Sequence, residues 1–180
     1  MQVPVPRVSH ARLFALVVCF GVAAVHSPAQ RFKADLYSFV PPIGWTRTTQ
    51  NVSKGVAAFL GPREQDFAVN INILSEPAPH ETLAQYVDAT HRQFAAHKEM
   101  TRLKDGTTVM AGGPAHTMLS ELQLADHPNL PTLISHQVYA MHKNRAFILT
   151  LTYPKGLAEA SARKYDAAFT KSVASFQWER

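Results

Sequence analysis

The apolar residues of this 180-residue chain repeat with two different periods, and this contrast constrains the fold most strongly. In segment 67–74 (FAVNINIL) every second residue from Phe67 to Ile73 is large and apolar, as in a strand with one buried face. Segments 82–98 and 157–174 instead place apolar residues three and four apart, which is typical of amphipathic helices. The sequence therefore predicts a sheet covered by two helices.

Further strands are predicted on both sides of the first helix. Before it, short strands at 36–39 and 56–60 end at Pro41-Pro42 and Gly61-Pro62, because proline lacks the amide donor that a sheet ladder needs. After it, segments 102–103 and 107–110 are predicted to form a hairpin around the turn dipeptide Asp105-Gly106. Another strand is expected at 115–122.

Two longer strands, 133–142 and 146–153, are joined by a polar turn and should pair antiparallel. Phe176 and Trp178 alternate with polar residues, as in a short terminal strand. Neither helix joins strands in a regular strand–helix–strand alternation, which argues against a doubly wound parallel sheet. We predict an α+β domain whose central, mainly antiparallel sheet has about six or seven strands and two main helices.

The first 29 residues are predicted to be a cleavable signal peptide. Arg7 and Arg12 supply positive charge before an apolar run at 13–25. That run is too short to cross roughly 30 Å of hydrocarbon as a helix. Small residues favour cleavage after Ala29, with Ala24 as an alternative.

Cleavage would leave residues 30–180 as a single domain without Cys19, the only cysteine. Such a domain forms no disulfide and no zinc–thiolate site. The 18 basic residues minus two in the leader leave 16 against 13 acidic ones, a net charge of +3 without a basic run that would draw nucleic acid. We expect a periplasmic or secreted domain without a transmembrane anchor after cleavage, although an uncleaved anchor or lipidation at Cys19 stays open.

Histidine spacing favours no metal site within one element. His91 and His97 diverge around a helix, and His136 and His142 lie about 20 Å apart along one strand. Neighbouring strands can bring side chains within about 5 Å of each other. A weak metal site formed by His116 and His136 across strands therefore stays open.

The remaining polar and aromatic residues indicate structure rather than chemistry. Asp66, Asn70 and Asn72 offer too few oxygens for calcium and are predicted to form a solvated or hydrogen-bonded sheet face. Trp45 and Trp178 are predicted to anchor the core, with a ligand groove as the alternative. The chain has no nucleophile elbow and no glycine-rich phosphate loop. We therefore predict no catalytic, cofactor-binding or metal-ligating residue, and no enzyme.

The order of landmarks resembles the PsbP-like domains and the DcrB-like exported proteins of the same superfamily. The matching segments are FVPPIGW at 39–45, VNINI at 69–73, GPA at 113–115 and ILT at 148–150, with a helix opening near Thr82-Leu83 and a closing Ser175-Phe176. The resemblance implies an α/β/α sandwich with a central antiparallel sheet. It also implies a non-enzymatic accessory or interaction role.

These observations favour a non-catalytic extracytoplasmic domain that binds a protein or another envelope component. The loop at 125–131, with neighbouring strand ends, is the predicted contact surface, because loops on a rigid scaffold carry much recognition. A small-molecule or lipid carrier is the alternative, and an unrecognised hydrolase is the third possibility.

Overall fold

The computed structural model describes residues 30–49, 55–124 and 129–180. The predicted signal peptide and residues 125–128 of the predicted contact loop lie outside them. Within the described ranges there are ten strands and two helices. In chain order they are β1 (Phe32–Lys33), β2 (Tyr37–Phe39), β3 (Thr46–Thr48), β4 (Val56–Glu64), β5 (Phe67–Pro77), α1 (Leu83–Ala96), β6 (Met100–Met110), β7 (Gly113–Leu122), β8 (Leu133–His142), β9 (Arg145–Pro154), α2 (Glu159–Ala174) and β10 (Gln177–Trp178).

Seven strands form one sheet in the order β3-β4-β5-β9-β8-β7-β6, and every neighbouring pair in it is antiparallel. The other three strands form a small sheet in the order β1-β2-β10. The predicted α+β class with a mainly antiparallel sheet and two helices is therefore confirmed.

The helices cover opposite faces of the large sheet. Along β9, Phe147 and Leu149 pack into the core that includes Phe169 of α2. The alternate residue Ile148 packs into the core that includes Phe94 of α1. Because successive strand residues point to opposite faces, the molecule has three layers, α/β/α. No helix in the described ranges is long and apolar enough to cross a membrane.

Both helices match the predicted spacing. The first begins with a capping box, in which the Thr82 hydroxyl accepts a hydrogen bond from the Gln85 amide at 3.2 Å and the Gln85 side chain accepts one from the Thr82 amide at 2.9 Å. The second has no side-chain cap, but its first turn carries Glu159 and its last carries Lys171, which suits the helix dipole.

The predicted hairpin at Asp105-Gly106 is wrong. Strand β6 pairs with β7 along its whole length, with one bulge between Arg102 and Lys104. The chain reverses instead at Ala111 and Gly112, whose φ angles of 49° and 76° suit a two-residue type I′ turn. Ten paired positions with β7 outweigh the local preference of one dipeptide.

The predicted end of the second strand at Gly61-Pro62 is also wrong. Strand β4 continues to Glu64 because a bulge between Leu60 and Arg63 takes up the interruption in pairing. Bulges are among the few sheet positions that tolerate a proline, since an unpaired amide is expected there.

The polar face of β5 is buried, not solvated. Asn70 and Asn72 are 0% and 2% exposed, and they lie opposite Thr152 and Thr150 of β9. The Asn72 amide donates to the Asn70 side-chain oxygen at 3.4 Å, so the hydrogen-bonded alternative is confirmed. Asp66 lies in the exposed turn before β5, apart from both asparagines.

Aromatic side chains attach the small sheet to the large one. Phe39 of β2 is fully buried, and its ring centroid lies 5.3 Å from that of Phe59 in β4 in an edge-to-face arrangement. The ring of Phe176 stacks on Tyr37 at 5.2 Å and lies 6.2 Å from Phe39. Edge-to-face and offset pairs are the favoured aromatic geometries, so these contacts add to the area that the rings bury.

The stack of His142 on Trp178 gives a pH-dependent prediction. The two ring centroids lie 4.4 Å apart, and the angle between the ring planes is 4°. Burial, together with the nearby charge of Lys143, lowers the pKa of His142 from its ordinary value of 6.5. The unfolded chain therefore protonates first as the pH falls. The stability that His142 contributes should be complete above about pH 6.5 and decline below it until the folded pKa is reached. NMR titration of the ring protons measures this pKa, and a value of 6.5 or above would contradict the prediction.

Candidate functional site

A groove of about 960 Å³ opens between helix α2 and the chain that leaves β2. Its walls are the segment 40–45, the β4 bulge at 60–62 and one side of α2. The segment 40–45 is held at both ends. The Val40 amide donates to the Ser175 hydroxyl at 2.8 Å, and the Trp45 amide donates to the Pro42 carbonyl at 3.1 Å. Gly44 supplies the φ of 80° that this turn requires.

The base of the groove is aromatic. The Trp45 indole lies edge-on to the Tyr165 ring, with centroids 6.4 Å apart. The same indole covers Gly61 so closely that a Cβ on that residue would lie 2.5 Å from its Cε2 atom. Trp45 is partly buried and packs against the core, so it is at once the predicted core anchor and the alternative groove residue. Trp178 instead packs on Phe147, away from this groove.

The polar groups of the groove stand around an apolar interior. The Tyr165 hydroxyl donates to the Glu64 carboxylate at 2.6 Å. Burial and this hydrogen bond raise the pKa of Tyr165, so it is a neutral donor throughout the physiological range. Lys164 and Lys171 extend from the exposed part of α2 along the same wall. The groove therefore combines apolar walls with positive charge on one side.

Ile43 stands at the edge of this groove with 80% of its surface exposed. It precedes Gly44 in a turn between two prolines and Trp45. A large aliphatic side chain in this position gains nothing from the core of its own molecule. Exposed apolar groups beside an apolar groove are typical of interaction surfaces.

A second cluster lies on the opposite face of the sheet, where α1 crosses β6 and β7. One oxygen of Asp105, Oδ1, lies 3.0 Å from Nε2 of His91 and 2.9 Å from Nε2 of His116. The other oxygen, Oδ2, lies 3.3 Å from Nε of Arg102. Although burial opposes it, the two histidine hydrogen bonds and the nearby positive charges lower the pKa of Asp105. The carboxylate is therefore an acceptor for both imidazoles.

The structure separates His116 and His136, the possible cross-strand metal ligands. His116 lies opposite Tyr139, which is three residues beyond His136 on β8. An odd offset places the two imidazoles on opposite faces of the sheet. His136 accordingly contacts Thr117 at 3.0 Å and Asp166 of α2 at 3.4 Å, whereas His116 faces α1. A site shared by His116 and His136 is excluded.

The sequence did not reveal the groove or the histidine cluster as sites. The groove joins segments that are about 100 residues apart, and it has no local motif. The cluster is hidden because the dipeptide Asp105-Gly106 indicates a turn, whereas the pairing of β6 with β7 brings Asp105 beside His116. The available signal for the histidine cluster is the presence of the polar residues Asp105 and His116 on two strands that pack against the helix carrying His91.

No family model matches the chain, and no curated protein sequence matches it. Among solved structures, cyanobacterial PsbP (CyanoP) from Synechocystis sp. PCC 6803 is similar, with a TM-score of 0.60 and 18% identity over 91% of this chain and 99% of that chain. The Ran-binding protein Mog1p from Saccharomyces cerevisiae has a TM-score of 0.56 and 13% identity, over 86% of this chain and 96% of Mog1p. PA94 from Pseudomonas aeruginosa, a protein of unknown function, has a TM-score of 0.55 and 14% identity, over 81% of this chain and 96% of PA94.

These similarities extend over nearly the whole length of each solved chain, at identities that show the fold alone. They agree with the three layers and the antiparallel sheet described above. The fold that the resemblance to PsbP-like domains implies is thereby confirmed: the chain has the fold of CyanoP, PA94 and Mog1p.

Proposed function

We propose that this chain is a non-catalytic, exported accessory domain that binds a protein partner in the groove between segment 40–45 and helix α2. The observation that carries the proposal is the apolar groove of about 960 Å³ with the exposed Ile43 at its edge. Export is supported by the charged and apolar pattern of residues 1–29.

The occupant that fits best is an extended or helical peptide segment with an apolar side chain flanked by acidic residues. The apolar side chain would pack against Trp45 and Ile43. The acidic residues would face Lys164 and Lys171, whose charges make the helix wall positive. The use of the same fold in Mog1p, a Ran-binding protein, supports a protein rather than a small molecule as the partner.

The test is a selection of random twelve-residue peptides on the immobilised protein, followed by affinity measurement with the enriched peptides. We expect enrichment of sequences that combine an aromatic or aliphatic residue with Asp or Glu. The substitution Ile43→Asp should weaken their binding at least tenfold, about 1.4 kcal/mol, because it places a charge where an apolar contact forms.

Val109→Asp is the matched control for this substitution. Val109 is also an exposed aliphatic residue, at 62%, but it lies on β6 and does not line the groove. Its replacement should leave peptide affinity unchanged. Peptides that bind Ile43→Asp as well as the original protein, or a selection that enriches no sequence, would contradict the proposal.

A carrier of an amphiphilic small molecule is the second candidate, because the groove volume falls within the range of about 300–1,000 Å³ typical of ligand pockets. The probe is dansyl-labelled undecanoic acid, an apolar chain with one carboxylate. Saturable binding of this probe that is lost in Ile43→Asp, together with no enriched peptide, would favour the carrier. The loop 125–131, which the sequence analysis predicts as the contact surface, stays a prediction, and its deletion can be tested with the same peptides.

A further inference from the structure

We propose that His91, Asp105 and His116 form a binding site for a divalent transition metal ion of the zinc type. The three side chains offer two imidazole nitrogens and one carboxylate oxygen, and these ligand atoms all lie within 4.8 Å of one another. This site is independent of the proposed peptide groove, which lies on the α2 side of the sheet.

The fold brings the three residues together from three elements. Asp105 lies opposite Met118 and His116 lies opposite Thr107, so Asp105 and His116 are diagonal neighbours on one face of the β6–β7 pair. Helix α1 covers that face and contributes His91, whose ring centroid lies 5.7 Å from that of His116. The position of each ligand is thus fixed by strand register and by helix packing, not by a flexible loop.

The hydrogen bonds of the cluster already bring the ligand atoms close to the spacing that a bound ion needs. Each imidazole Nε2 lies about 3 Å from Asp105 Oδ1, and because an ionised carboxylate only accepts, both nitrogens carry the donated proton. A tetrahedral zinc ion with bonds of about 2.0–2.2 Å needs ligand atoms roughly 3.3–3.5 Å apart. A small rearrangement of these side chains would therefore let one metal ion bind both Nε2 atoms. A neutral imidazole would then carry its single proton on Nδ1, and an imidazolium would release its Nε2 proton to solvent.

The donor set selects the class of ion. Imidazole nitrogen suits zinc, copper, nickel and cobalt, whereas calcium and magnesium prefer several oxygens and meet only one carboxylate here. Arg102, 3.3 Å from Asp105 Oδ2, offsets the carboxylate charge and opposes a cation. We therefore expect micromolar affinity, weaker than that of a closed four-ligand zinc site.

The ligands leave a coordination position open. The side chains of His91, Asp105 and His116 are 25%, 30% and 17% exposed, so solvent reaches the cluster. Three protein ligands plus one exchangeable position is the arrangement of zinc sites that also bind water or a further ligand. A bound ion would in addition link α1 to the β6–β7 hairpin, which now meet here through hydrogen bonds.

The test is isothermal titration calorimetry of the purified protein with zinc chloride, and then with calcium chloride. We expect one zinc ion per chain at micromolar affinity and no saturable calcium binding. His116→Gln and Asp105→Asn should each weaken zinc binding at least tenfold. Zinc should raise the midpoint of thermal unfolding in the unaltered protein and have little effect on either variant.

His97→Gln is the matched control, because His97 ends the same helix but contacts Glu99 at 3.8 Å instead of the cluster. Its zinc affinity should stay within about twofold of the original. The midpoint of thermal unfolding without zinc shows whether each variant folds. If one of the two ligand variants does not fold, His91→Gln, which alters the ligand on the helix, is measured in its place. Zinc affinity that is equal in the original protein and in the ligand variants, or calcium binding as tight as zinc binding, would overturn the proposal.

Discussion

Replacing Phe39 by alanine is expected to lower the free energy of unfolding by about 3–5 kcal/mol, a large share of the 5–15 kcal/mol typical of a domain. Phe39 is fully buried and joins the small sheet to the large one through its contact with Phe59 of β4, while Phe176, just before β10, also packs on its ring. Alanine would leave a cavity at this junction that neighbouring rings fill only in part. Urea unfolding followed by circular dichroism measures the loss.

Two controls separate this effect from a general sensitivity of the region. Phe39→Leu keeps most of the apolar volume and should cost roughly 1–1.5 kcal/mol. Ile43→Ala, four residues further on, removes an exposed side chain and should change stability by less than about 0.5 kcal/mol. A loss below about 1.5 kcal/mol for Phe39→Ala would show that the two sheets do not depend on this ring for their attachment.

The same substitution connects stability with the proposed function. Val40 follows Phe39 directly, and its amide hydrogen bond to Ser175 ties the groove segment to the end of α2. A loosened β2 would free that segment from its position beside the helix. Peptides selected on the original protein should therefore bind Phe39→Ala more weakly, even at temperatures where it is folded.

The parts of the fold that the sequence predicted are those set by a local pattern. In the helices at 83–96 and 159–174, and in the paired strands β8 and β9, the apolar residues repeat with the period of one kind of element over ten or more residues. Such a pattern determines the element because only one period places the apolar residues against the core. The Lys143-Asn144 turn adds two residues with φ angles of 48° and 57°, as a tight hairpin needs.

What the sequence could not predict depends on partners that are distant along the chain. Asp105-Gly106 has the local signal of a turn, but pairing with β7 keeps it within a strand. The sequence leaves Asn70 and Asn72 either solvated or hydrogen-bonded, and the cover of α1 on their face of the sheet decides between the two. In each case the deciding contact lies outside the window in which a pattern can be detected.

The same reason explains why the two candidate sites are invisible in the sequence. Trp45 lines the groove only because the β4 bulge and α2 stand beside it, and His91 reaches Asp105 only because α1 crosses β6. The two sites also lie on opposite faces of the sheet. Zinc binding and peptide binding should therefore be measurable separately, and the failure of one would leave the other standing.

Gly61→Ala is expected to destabilise the protein by about 1–3 kcal/mol, although it adds only one methyl group. The added Cβ would lie 2.5 Å from Cε2 and 2.6 Å from Cζ2 of Trp45, so the indole must leave its place at the base of the groove. Backbone strain does not contribute, because the φ of Gly61 lies outside the left-handed region. Urea unfolding gives the loss, and tryptophan fluorescence should shift to the red as the indole becomes exposed.

A double-mutant cycle with Trp45→Ala identifies the cause. Without the indole, Gly61→Ala should be neutral or stabilising by up to about 1 kcal/mol, since alanine restricts the unfolded chain more than glycine does. Gly112→Ala is the matched comparison: it has a φ of 76° and nothing within 4 Å of its would-be Cβ, so its cost comes from the backbone. Trp45→Ala should leave that cost unchanged. An equal loss of stability from Gly61→Ala with and without Trp45 would contradict this explanation. Contact with the indole would then not be the reason for glycine at position 61, and Trp45 would not form the base of the groove.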